Sequence, residues 1–153
     1  MHAVPTGIEV APKMSSSSPL TRLQHISQII APNPTRAGYV PEKPFRICVI
    51  GSGNWGTAVA KLCAENCLAR PHLFARHVKM WVFQEKIGDQ NLTDIINTKH
   101  ENVKYLPGVE LPKHLRADPD IVNTAHDADL IVFNLPHHFF PGIFTTLTGH
   151  LKP

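Results

Sequence analysis

At 153 residues the chain suits one domain with an appended tail, and its 42% apolar and 7% aromatic content supports a modest core. A net charge of +3, carried by scattered rather than clustered basic residues, argues against nucleic acid as the main partner. No apolar run nears the roughly 18–20 residues that span a bilayer, and no basic region followed by an apolar core marks a secretory signal, so neither membrane nor export is indicated.

Residues 1–44 hold half of the fourteen prolines and the run Ser15-Ser16-Ser17-Ser18, without a long amphipathic pattern. Such a stretch buries too little surface to offset its ordering entropy and reads as a disordered extension. Within it only residues 20–30 have helical spacing, stopped by Pro32. Arg22-Leu23 begins like a peroxisomal targeting nonapeptide, but Ile29-Ile30 do not complete the pattern and no such signal is assigned.

From Phe45 the pattern alternates between strand and helix. The β-prone run 45–50 feeds into three glycines spaced G-x-G-x-x-G, at Gly51, Gly53 and Gly56, and residues 57–65 behind them read as a helix. Strand, turn and helix in this order give the glycine spacing its meaning as a dinucleotide loop. The first glycine permits a tight turn, the second lets backbone approach a pyrophosphate, and the third allows close packing. N–H groups at the helix start then face the phosphates, and the dipole adds about 0.3–1 kcal/mol for an anion.

Residues 78–83 form a short apolar run of strand length, and a helix with Leu92, Ile95 and Ile96 on one side follows. Residues 101–114, with Leu106-Pro107-Gly108 and Leu111-Pro112, read as an irregular connection. Residues 115–118 make a third strand, and Asp120 caps a helix over 121–128. Residues 129–135 look like a fully buried strand closed by Pro136, and a last helix covers 139–151 with Pro141 in its first turn. The sum is an α/β, Rossmann-type doubly wound parallel sheet, cut off after about four strands, with strand order 3-2-1-4. The domain so defined is 45–153. The fourth strand would carry a bare apolar edge, which makes poor solubility the expectation for the isolated chain.

Other residues add less. Glu85, 29 positions beyond Gly56, stands where an acidic residue meets the adenosine ribose, and its charge favours NAD over NADP. Phe83 could stack on adenine or belong to the core. His137 and His138 follow the fourth strand but have no partner of forced geometry, and neither is assigned to catalysis. Cys48, Cys63 and Cys67 lack a metal spacing and read as buried reduced thiols.

Gly-Ser-Gly-Asn-Trp-Gly at 51–56, Met80-Trp81-Val82-Phe83, Ile95-Ile96-Asn97-Thr98, the run 100–108 and Pro136-His137-His138-Phe139 together resemble the eukaryotic NAD-dependent glycerol-3-phosphate dehydrogenases. The proline- and serine-bearing extension resembles that of fungal members. The resemblance implies NADH-dependent reduction of dihydroxyacetone phosphate to sn-glycerol 3-phosphate and the reverse, in a cytoplasmic enzyme that is a homodimer when complete. It implies that Gly51, Ser52, Gly53, Asn54, Trp55 and Gly56 hold the pyrophosphate, and that Phe83 and Phe139 line the cofactor pocket. His138 departs from the Gln that many relatives carry there. The family's substrate-binding and proton-donating lysines would follow Pro153, and Lys152 matches neither motif, so no catalytic residue is expected within 1–153. The chain therefore reads as the NAD-binding portion of the enzyme, with a non-catalytic NAD-binding fragment or regulatory module as the alternative.

Overall fold

The computed structural model describes residues 40–152. Most of the proposed extension, including residues 20–30 and the serine run, lies outside the described residues. Eleven elements follow in chain order from Ile47. Strand β1 (Ile47–Ile50) runs into helix α1 (Asn54–Ala69), then strand β2 (Val78–Trp81). A two-stranded antiparallel hairpin, β3 (Lys86–Ile87) and β4 (Gln90–Asn91), leads into α2 (Leu92–Lys99). Strand β5 (Leu115–Asp118), α3 (Ile121–Ala125), β6 (Leu130–Phe133), a 3₁₀ turn (His137–Phe139) and α4 (Phe140–Leu147) complete the order.

The four longer strands form one parallel sheet in the order β5-β2-β1-β6, which is the expected 3-2-1-4. Alternation along β1 explains the double winding. Ile47 and Val49 face a core built with Ala60, Ala64 and Cys67 of α1, Leu92 and Ile96 of α2, and Met80 of β2. Cys48 and Ile50 face the other side, against Ala125 of α3 and Ile143 and Leu147 of α4. Small residues on α1 let it lie close on the sheet, as the first crossover of such a fold requires.

Several details depart from the sequence reading, among them the last helix, which ends at Leu147 rather than 151. Helix α1 begins at Asn54, inside the glycine motif, rather than behind it. Helix α3 ends at Ala125 instead of 128, although Asp120 caps it as expected, its carboxylate accepting from the N–H groups of Val122 (2.8 Å) and Asn123 (3.0 Å). The β3–β4 hairpin was not foreseen. And β6 is not fully buried: it is an edge strand, with Leu130 half exposed. Continuous apolar character reports apolar neighbours on two faces, whereas an edge leaves one flank open. At the other edge, Asn97 of α2 takes the place of a neighbouring strand, donating to the Ala117 carbonyl (2.8 Å) and accepting from its N–H (2.9 Å).

Burial raises the pKa of all three cysteine thiols, Cys48 to about 12, and all three are free. Among the described residues no group of His, Cys, Asp and Glu could hold a metal ion. Nor is any helix among them long and apolar enough to cross a membrane.

Candidate functional site

The carboxyl ends of β1, β2 and β6 open into one cleft of about 560 Å³. Its walls come from Gly51, Ser52 and Gly53 after β1, Phe83 and Glu85 after β2, and Asn134, Leu135 and Pro136 after β6. Trp81, Tyr105, Phe139 and Ile143 complete it. The cleft stands at β1, where the sheet order reverses direction, the position at which open α/β sheets take their ligands.

The three glycines differ in what surrounds them. Gly51 has φ +118°, and a Cβ there would lie 2.2 Å from the Asn134 carbonyl oxygen. Gly56 is packed as tightly: its Cβ would lie 2.2 Å from the Gly51 carbonyl oxygen. A Cβ on Gly53 would meet no protein atom within 4 Å. Two glycines are thus demanded by the fold, whereas at the middle one the fold leaves room for a side chain. Gly53 is also the residue that precedes α1, and no side chain caps this helix start. The first-turn N–H groups of a helix lack intrahelical partners and attract anions.

Below the loop is a buried polar network that the sequence did not disclose. The Ser52 carbonyl accepts from Thr57 Oγ1 (3.0 Å) and Asn102 Nδ2 (3.0 Å). Asn102 Nδ2 also donates to Thr57 Oγ1 (2.8 Å), while its Oδ1 accepts from the Tyr105 N–H (3.2 Å). Both Asn102 and Thr57 are completely buried. From the exposed side, Asn54 Nδ2 donates to the Tyr105 carbonyl (3.1 Å). The only hint in the sequence was that the run 100–108 belonged to the resemblance. Asn102→Ala should destabilise the chain by about 2–3 kcal/mol, because it strands buried partners, and lower NADH affinity with it. Denaturant titration and a fluorescence titration of NADH check the two effects.

The remaining predicted residues fall around the cleft as follows. Phe83 and Phe139 line it and are both exposed. Asn54, Trp55 and Gly56 are not among its lining residues: Gly56 is buried beneath the loop, and Trp55 stands 75% exposed on the first turn of α1. Glu85 reaches the cleft from the segment after β2, where its carboxylate pairs with Lys104. That carboxylate is the main reason the Lys104 ammonium sits above the usual lysine pKa. Trp81, not singled out for this site, is fixed by its indole N–H on the Pro119 carbonyl (2.9 Å) and meets Phe83 edge-on. His137 and His138 stay at the rim, His138 against Phe139, and neither enters the cleft lining.

Comparison with known proteins agrees with this geometry. A family model described as NAD-dependent glycerol-3-phosphate dehydrogenase N-terminus matches residues 46–153. Glycerol-3-phosphate dehydrogenase [NAD(+)] of Candida tropicalis is 58% identical over 139 residues, covering 85% of this chain and 36% of that protein. A mitochondrial form from Saccharomyces cerevisiae is 56% identical over 115 residues, covering 75% of this chain and 26% of its own length. The solved glycerol-3-phosphate dehydrogenase of Saccharomyces cerevisiae superimposes with a TM-score of 0.71 at 56% identity, over 72% of this chain and 31% of that one. The Plasmodium falciparum enzyme does so with a TM-score of 0.65 at 35% identity, over 72% and 31%. The chain spans about a third or less of the length of the curated relatives it matches. On the match across 46–153, the chain belongs to the family of NAD-dependent glycerol-3-phosphate dehydrogenase N-terminal domains.

Proposed function

We propose that residues 45–153 bind NAD(H) in this cleft and serve the NADH-dependent reduction of dihydroxyacetone phosphate to sn-glycerol 3-phosphate, and the reverse. The observation that carries the reading is Gly53: the one glycine of the loop with open space at its Cβ, placed at an uncapped helix start and opening on an apolar cleft. In this reading residues 51–56 cradle the pyrophosphate by backbone N–H groups. Phe83 and Phe139 offer apolar faces to the cofactor's rings, and Glu85 accepts from the adenosine ribose. When bound, NADH supplies the hydride. The chain's own residues orient the cofactor and exclude water from one side of it.

Reduction of a ketone also needs a group that polarises and protonates the developing alkoxide, and a cation for the substrate phosphate. Among the described residues the cleft lining includes no lysine, arginine or histidine. That observation favours a second reading, a non-catalytic NAD-binding fragment or regulatory module. Turnover tests whether the catalytic groups lie outside these residues. The purified 153-residue chain should bind NADH yet leave it unoxidised with dihydroxyacetone phosphate, and measurable NADH oxidation would overturn the assignment of catalysis to groups outside these residues. The complete enzyme we place in the cytoplasm as a homodimer. Three free thiols, those of Cys48 and Cys67 buried and that of Cys63 partly exposed, support a reducing compartment, and one relative is named mitochondrial, so cell fractionation is the check.

A further inference from the structure

Lys104 and Asn102 belong to one short turn, closed by the Leu106 N–H on the Asn102 carbonyl (2.9 Å). Its buried end, Asn102, is fastened to the glycine loop through the Ser52 carbonyl and Thr57. Its Tyr105 carbonyl takes a second bond from Asn54, on the first turn of α1. Its exposed end, Lys104, crosses to the segment after β2 and holds Glu85 Oε2. Glu85 Oε1 has no hydrogen bond among the described residues, and Glu85 lines the cleft. One turn therefore ties the phosphate loop to the acid expected at the ribose.

We propose that Lys104 is a positioning residue for the cofactor: it fixes the Glu85 carboxylate so that its second oxygen accepts from the adenosine ribose diol. This rests on the NAD(H) reading above. The physical reason is reach. In a dinucleotide the distance from pyrophosphate to ribose hydroxyls is limited by covalent structure, and a glutamate free to change rotamer matches it only part of the time. Anchoring one carboxylate oxygen to a turn bolted to the phosphate loop holds the other at a set distance from that loop. An exposed ion pair adds little to stability, so losing Lys104 should show in ligand affinity and not in melting.

The test is a fluorescence titration of NADH into the 153-residue chain and four variants, with thermal melts alongside. Lys104→Met should weaken NADH binding about tenfold, the order expected when a charge-assisted hydrogen bond is no longer held in place, with the melting temperature unchanged. Lys104→Arg should restore most of the affinity. Glu85→Gln should weaken binding at least as much as Lys104→Met. Because Lys104 acts through Glu85, adding Lys104→Met to Glu85→Gln should cost nothing further. Additive losses in the double variant, unchanged affinity in Lys104→Met, or a lowered melting temperature in that variant would each overturn the proposal. A wild-type chain that fails to bind NADH would instead overturn the NAD(H) reading beneath it.

Discussion

Gly53→Val should abolish measurable NADH binding while leaving the chain folded. The argument rests on asymmetry within the loop. Gly53 has φ −62° and ψ −178°, ordinary extended backbone that valine adopts freely, and the added Cβ meets no protein atom within 4 Å. The folded state therefore loses little, about 1 kcal/mol at most from a poorer residue before a helix start. The cost falls on the ligand. On the proposed reading, the branched side chain fills the space through which a pyrophosphate reaches the N–H groups of α1. Loss of that approach should lower affinity by more than about a hundredfold, since several charge-assisted bonds go together. Calorimetry with NADH measures the loss and a thermal melt measures the fold. Unchanged affinity would sink the cofactor site.

Gly56→Ala should do the opposite, harming the fold first. Its Cβ would sit 2.2 Å from the Gly51 carbonyl oxygen and 2.8 Å from the Gly51 carbonyl carbon, both backbone atoms. No rotamer change relieves such a contact. Either α1 moves off the end of β1 or the loop opens, and both disturb the core contacts of Ala60 and Ala64. A cost of about 3 kcal/mol is expected, the upper end for overpacking, read as a lower denaturation midpoint. The pair of substitutions distinguishes a glycine kept for packing from one kept for a ligand, although both belong to one six-residue motif.

Why one role was readable and another was not becomes clear from particular residues. The order β5-β2-β1-β6 was legible because strands and helices alternate, and right-handed crossovers leave few ways to arrange them. The glycine loop was legible because the G-x-G-x-x-G spacing lies between a strand run and a helix run, a context readable from local sequence. Asn102 was not. Its importance comes from contact with Ser52 and Thr57, 50 and 45 positions away, and no local pattern records such a partnership. The hairpin at residues 86–91 carried a readable signal, Gly88-Asp89 between two short runs, with Gly88 at φ +61°. It was hidden because strands of two residues have no periodicity to detect. Burial of β6 was misjudged although its edge position was read, because an all-apolar run suggests two covered faces while the open flank leaves Leu130 half exposed.

The Ser52 carbonyl has a kinetic meaning as well. It takes two buried donors, so the peptide between the first two glycines is held before any nucleotide arrives. A loop already in its binding shape leaves no ordering entropy for the ligand to supply. The encounter should then be fast and nearly the same for all variants that keep this network. Differences among them would appear as residence time, in how soon the cofactor leaves rather than how quickly it enters.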